Sequence, residues 1–263
     1  MELNVKICPL IIALLGSLFI SVSAKTPEQK GDEIAKKMED ANNGYIGEES
    51  DMEMILIDAH GSRVERLMKG NIMEVKGDGD KSISTFLNPR DVKGTKMLTW
   101  SHKEKDDDQW LYLPSLKRVK RINSSSKSSS FMGSEFSFED LGSQEREKFT
   151  YKLLTEKKVN GLDSWVLERK PKTKSGYTKQ IVVISKKYMN PLSIEYYDRK
   201  NELLKKAEFS GYKKYTVKGK TLFRASKIHM KNKQTKKESI FEWKNRKIGV
   251  SQKSRNFTKR SLK

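Results

Sequence analysis

Between residues 52 and 243 the chain is a close succession of strand-length segments, each ended within a few residues by turn chemistry. That spacing limits the fold more than any other feature. In the first half the segments are 52–58, 63–69, 72–76, 81–87, 96–101 and 109–122. In the second half they are 149–158, 164–170, 179–187, 192–198, 203–215, 221–231 and 239–243. Their separators are turn formers such as Gly70-Asn71, Asn160-Gly161, Asn190-Pro191 and Lys218-Gly219. Short strands joined by short turns leave no room for crossover helices, so the sequence predicts an antiparallel meander rather than βαβ units. One helix precedes it. Thr26 is placed to cap the helix, Pro27 to open it and Gln29 to close a capping box, while Asn43-Gly44 ends it. The fold class expected is therefore mainly β, with a small α component.

Alternation along the strands says more. Residues 54–57, 110–113 and 181–184 are apolar on both faces, which a sheet wet on one side would not tolerate. Helices, a second sheet or an apolar ligand must cover the second face there, and one helix is too little cover. The centre of the chain breaks the strand pattern. A Ser/Lys tract at 123–130 is followed by Phe131, Met132, Phe136, Phe138 and Leu141. An apolar cluster behind a tether reads as a lid laid over a hydrophobic surface, or as residues that complete the core.

The first residues predict export. Lys6, an apolar run at 7–20 and Val22-Ser23-Ala24 have the layout of a signal peptide cleaved after Ala24. The run is shorter than the roughly 20 residues that a bilayer span needs. Residues 1–24 are thus a leader and 25–263 one domain. The single cysteine, Cys8, falls inside the leader, and Lys25 stands where a lipoprotein would carry its lipidated cysteine. No disulfide framework or Cys-based metal site is expected. The net charge is +20, with no arginine-rich tract or aromatic-basic RNA motif. An exported basic protein has anionic membrane surfaces or acidic partners within reach, and nucleic acid is not expected.

Catalytic motifs are missing. His60, His102 and His229 do not stand at metal-ligand spacing, and there is no nucleophile elbow or phosphate-binding loop. The 76–80 segment, KGDGD, lacks the closing Glu of a calcium loop and reads as a hairpin turn; Asp106-Asp107-Asp108 reads as a solvated loop. Neither enzyme, metal nor cofactor is expected. Charges make up 33% of the residues and interrupt nearly every strand, which excludes a lipid-facing barrel.

Four stretches carry a resemblance: GTKMLTW at 94–100, DQWLYLPSLKRVKRI at 108–122, FMGSEFSFEDL at 131–141 and NFTKRSL at 256–262. With them the chain resembles the outer-membrane lipoprotein-sorting proteins, periplasmic carriers with the LolA/LolB-like fold, as a divergent branch. The resemblance implies a strongly curved antiparallel sheet, an incomplete β-barrel, with an N-terminal helix and a short helical or loop lid over its open side. It implies a periplasmic carrier that binds acyl chains of lipoprotein or lipid and moves them toward the outer membrane. An inner-membrane transporter and an outer-membrane acceptor are the partners it implies. The candidate cavity and lid residues are Met52, Met54, Trp110, Tyr112, Phe131, Met132, Phe136, Phe138, Leu141, Trp165 and Leu167. Lys117, Arg118, Lys120 and Arg121 form a candidate membrane-facing basic patch. The other reading is a non-catalytic accessory or scaffold module of an envelope transporter.

Overall fold

The computed structural model describes residues 1–2, 24–123 and 125–263, so the expected leader lies almost wholly outside the described residues. Helix α1 (Pro27–Asn42) begins as its sequence dictates. The Thr26 hydroxyl accepts from the Gln29 amide at 3.2 Å, and Gln29 Oε1 accepts from the Thr26 amide at 2.9 Å. No helix among the described residues is long and apolar enough to cross a membrane.

Six strands follow: β1 (Gly47–Ile57), β2 (Arg63–Met73), β3 (Lys81–Asn88), β4 (Lys96–Trp100), β5 (Asp108–Leu113) and β6 (Arg118–Ile122). After the central segment come β7 (Phe149–Val159), β8 (Leu162–Pro171), β9 (Lys179–Ser185), β10 (Asn190–Tyr197) and β11 (Leu203–Ser210). The last four are β12 (Lys213–Val217), β13 (Lys220–Arg224), β14 (Lys227–Asn232) and β15 (Glu238–Ile248). Thirteen of them form one antiparallel sheet in the order β6-β5-β4-β3-β2-β1-β15-β14-β11-β10-β9-β8-β7. The last strand pairs with the first at the middle of the sheet. The edges β6 and β7 do not pair with each other, so the barrel stays incomplete. Bulges at Glu49/Asp51, Leu67/Met68 and Leu153/Thr155 contribute to the bending of the sheet.

Helix α1 packs on the edge strand β7. A Cβ on Gly31 would stand 2.8 Å from the Lys152 backbone nitrogen, so only glycine permits that approach. The small β12–β13 sheet packs Val217 and Leu222 against Tyr45.

Several expected breaks fall elsewhere. Gly70-Asn71 is no turn: β2 runs straight through it, in unbroken register with β1 from Gly47 to Ile57. Gly70 leaves room for the Met52 side chain, whose Sδ would stand 2.6 Å from a Cβ there. Conversely, the single strand expected at 109–122 is two. A 3-10 turn, Pro114–Leu116, and left-handed Lys117 (φ 46°) separate β5 from β6. The 203–215 and 221–231 segments are each two strands as well.

The two faces of the sheet differ sharply. Strands from both halves send Met54, Met68, Phe86, Met97, Leu111, Leu167, Ile194, Met230 and Phe241 into one inner core. Much of the outer face is laced with cross-strand ion pairs, including Lys244–Glu53 (2.6 Å), Lys227–Glu242 (3.5 Å) and Lys206–Glu195 (3.6 Å). Each such exposed pair contributes only about 0–1 kcal/mol. They account for the charges that interrupt the strands. The exception is the outer surface of β3–β5, where the C-terminal turns Ser254–Phe257 and Lys259–Leu262 cover Ile83, Leu98 and Trp110. This tail is one of the covers that the two-faced strands required.

Candidate functional site

Segment 131–141 lies against the concave face, and its placement follows from its composition. Phe131, Phe136 and Phe138 are 1%, 4% and 7% exposed and join the inner core. Phe136 packs on Phe241 with ring centroids 4.7 Å apart, and Phe131 meets Phe86 at 5.9 Å and Phe138 edge-on at 5.7 Å. Met132 and Leu141 pack at the periphery of that core.

Polar side chains from several strands hold the same segment. Arg66 Nη1 donates to the Met132 carbonyl at 2.6 Å, and Gln109 Nε2 donates to the Phe138 carbonyl at 2.9 Å. Lys205 Nζ donates to the Glu135 carbonyl (2.8 Å) and to Asp140 Oδ2 (2.7 Å), and Asn232 donates to Glu135 Oε2 at 2.6 Å. Glu139 accepts from the Ser175 hydroxyl (2.7 Å) and the Gly176 amide (3.0 Å), yet its burial raises its pKa above the ordinary carboxylate value. Burial and the Asp140 charge push the Tyr177 hydroxyl up in the same way.

Two spaces lie between the sheet and its covers. One, of about 200 Å³, is bounded by Met52, Met68, Met97, Phe131, Phe136, Leu141 and Trp243. The other, of about 370 Å³, lies beneath α1 among Met38, Tyr151, Leu167, Val182, Ile184 and Phe209, with Arg169 and Arg224 in its walls. Three flexible methionines line the first beside its aromatic side chains, and such residues adapt to varied apolar shapes.

Of the predicted contacts, Met52, Met54, Phe131, Met132, Phe136, Phe138, Leu141, Trp165 and Leu167 come together in or against the inner core. Trp110 and Tyr112 do not join them. They belong to the outer cluster, where the Trp110 ring lies 4.9 Å from Trp100, under the C-terminal tail. The reason is strand period: Leu111 and Leu113 take the inward positions of β5, so Trp110 and Tyr112 point outward. The same alternation divides the basic patch. Lys120 and Arg118 stand opposite Leu111 and Leu113, on the inward side of the edge strand β6. Arg121 stands opposite Trp110 and bonds Asp108, and Lys117 lies in the turn. All four are exposed.

The histidines are dispersed. His102 sits between Asp78 (2.8 Å) and Asp108 (3.3 Å), and His229 contacts Glu238. Asp106, Asp107 and Asp108 each hold a cation, Lys127, Lys148 and Arg121. Glu39, Glu145 and Glu147 converge, but Lys103 and Arg146 lie among them as counter-ions. These contacts form ion-pair networks.

Solved structures share this fold. A domain from Vibrio parahaemolyticus, provisionally assigned as an outer-membrane lipoprotein-sorting protein, is 45% identical to this chain. The match covers 89% of this chain and 99% of that one, at a TM-score of 0.86. The chain belongs to the outer-membrane lipoprotein-sorting family. A DUF1329 family protein from Desulfovibrio piger is similar to this family member at 28% identity, over 91% of this chain and 100% of its own, with a TM-score of 0.84. A LolA superfamily protein from Nitrosomonas europaea, 18% identical over 90% of this chain and 100% of its own (TM-score 0.67), shares the fold. A family model described as an uncharacterized protein matches residues 78–263. No curated protein sequence matches closely enough to carry a function across.

Sequence reasoning did not find Phe86, Met230 or Phe241 as inner contacts, although Phe241 and Trp243 alternate visibly in β15. Nor did it find Arg66, Lys205 or Arg224. A lone basic residue gives no local signal in a chain with 54 Lys and Arg.

Proposed function

We propose that this family member is a non-catalytic periplasmic carrier, exported by the leader 1–24, whose domain 25–263 binds acyl chains of lipoprotein or lipid between its sheet and its covers. The observation that carries the reading is the cover itself: three phenylalanines on one chain segment fill an apolar groove beside remaining apolar space. Acyl chains and the cover would compete for the groove. Burial of each CH₂ stabilises a bound chain by about 0.8 kcal/mol, so loading must displace aromatic contacts of comparable worth. Cargo would come from an inner-membrane transporter and leave to an outer-membrane acceptor.

One observation favours the scaffold reading. The cover is hydrogen-bonded at many points, as a fixed core element would be. An acyl-transfer assay separates the two. A carrier accelerates transfer of a fluorescent acyl lipid between donor and acceptor vesicles; a scaffold does not.

The same assay tests the basic edge. Leu116, 66% exposed, stands beside Lys117 and Arg118 at the β5–β6 turn, a combination suited to an anionic bilayer surface. Each such base contributes about 1 kcal/mol near an anionic surface. Transfer should therefore fall at least about tenfold in a Lys117→Gln, Arg118→Gln, Lys120→Gln variant. It should also fall with salt. Transfer indifferent to charge and salt would remove the basic edge from the account.

A further inference from the structure

The cavity beneath α1 carries two arginines that its acyl-binding role does not need. Other buried cations of the interior have carboxylate partners: Lys205 has Asp140 at 2.7 Å, and Arg246 has Glu48 at 2.8 Å. Arg224 has none within 4.0 Å among the described residues. Its Nη1 donates to Asn42 Oδ1 (2.5 Å) and the Phe223 carbonyl (3.1 Å), and its Nη2 to the Asn42 carbonyl (3.2 Å). The guanidinium lies over the Tyr45 ring at 5.2 Å. Arg169, 7% exposed, is held by two neutral amides, Gln180 (2.6 Å) and Gln144 (3.0 Å). A guanidinium cannot shed its proton, so a largely buried one depends on the groups around it; Arg224 feels the charges of Glu48 and Asp80 but bonds directly only to neutral acceptors.

The acids in the same walls make their direct contacts to other groups. Glu48 pairs with Arg246, and Asp80 accepts from the Tyr45 hydroxyl (2.6 Å) and the Val75 amide (3.1 Å). Glu39 is held by Lys103 and Arg146, and Glu145 by the Ser143 hydroxyl. Met38, Leu167, Val182, Ile184 and Phe209 form the apolar part of the walls. The space thus joins an apolar lining to guanidinium groups whose direct hydrogen bonds are all to neutral acceptors.

We infer that the cavity beneath α1 takes a single-chain amphiphile with an anionic head, carboxylate or phosphate, and that Arg224 anchors the head. Arg224 is the anchor because it remains partly accessible beside the cavity, whereas Arg169 is buried. The inference deepens the acyl-carrier reading and rests on it. It specifies a head chemistry that the inner core, with its aromatic and methionine side chains, does not supply.

The test is calorimetric titration of the purified protein with dodecanoate, dodecyl phosphate, dodecanol, acetate and inorganic phosphate. A charge-assisted hydrogen bond in a shielded site is among the stronger polar contacts. Dodecanoate or dodecyl phosphate should therefore bind at least about tenfold tighter than dodecanol. Which of the two binds tighter names the source of the head. Arg224→Gln should abolish the preference for the charged ligands over dodecanol. Loss of the preference in Arg169→Gln instead would overturn the anchor. Equal binding of dodecanol and dodecanoate by the unaltered protein would overturn the inference while sparing acyl binding, and this comparison stands even if Arg224→Gln fails to fold. Tight binding of acetate or phosphate alone would also overturn it, marking a free-anion site. No binding by any ligand would take the acyl-carrier reading down as well.

Discussion

Lys205→Met should lower the unfolding free energy by about 3–5 kcal/mol, and Asp140→Asn added to it should recover most of that loss. The two side chains are 4% and 5% exposed and meet at 2.7 Å. Lys205 Nζ also donates to the Glu135 carbonyl and lies 5.2 and 5.3 Å from the Tyr177 and Tyr196 rings. Asp140 further accepts from the Ser137 amide (2.7 Å) and the Tyr177 hydroxyl (2.9 Å). Removing only the cation leaves a carboxylate buried without its counter-ion, the most destabilising way to break such a pair. Asparagine keeps an acceptor for Ser137 and Tyr177 and removes the charge. Urea unfolding of both variants measures the effect. A loss under 1 kcal/mol in the single variant, or no recovery in the double, would show that this pair does not hold the cover. Because the pair joins segment 131–141 to β11, amide exchange in that segment should accelerate more in the single variant than in the double.

Phe257→Ala should cost about 3–5 kcal/mol without changing affinity for an acyl ligand. Phe257 and Leu262 are 1% and 0% exposed, set against Ile83, Leu98 and Trp110 on the outer face. The Trp100 indole donates to the Phe257 carbonyl at 2.7 Å, and Lys96 donates to the Ser261 carbonyl at 2.9 Å. Truncating the ring leaves a void between the tail and three strands that cannot close on it. The near-ultraviolet signal of the Trp100–Trp110 pair should weaken as the tail loosens. Ligand affinity is the decisive control, since the tail lies on the opposite side of the sheet from the cavities. A folded Phe257→Ala protein with impaired acyl binding would contradict that division of faces.

The helix was legible because capping is local: Thr26 and Gln29 bond across three residues, and their chemistry is visible in the sequence. Strand identity was largely legible for the same reason, but strand ends were not. Gly70-Asn71 has turn chemistry, and the long pairing of β2 with β1 overrides it. Pro114 and left-handed Lys117 break what the alternation presents as one strand. The inward face was the harder question. Residues 110–113 are apolar on both sides because the cavity-side core takes one and the C-terminal tail takes the other. Nothing local says which is which, and Trp110 and Tyr112 carry no sequence mark of their outward position. The cover was legible from its three phenylalanines. Its partners Arg66 and Lys205 were not, since each acts across 65 or more positions of chain.

The central claim is that acyl chains occupy the space between the sheet and its covers, and mass spectrometry of organic extracts from the natively purified protein tests it most directly. The account predicts acyl-bearing lipid or acylated peptide at stoichiometric level, and its loss in a Leu167→Asp variant that remains folded. An extract free of acyl species, from protein that also fails to take up added lipid, would contradict the claim and leave the cover as fixed core of a scaffold.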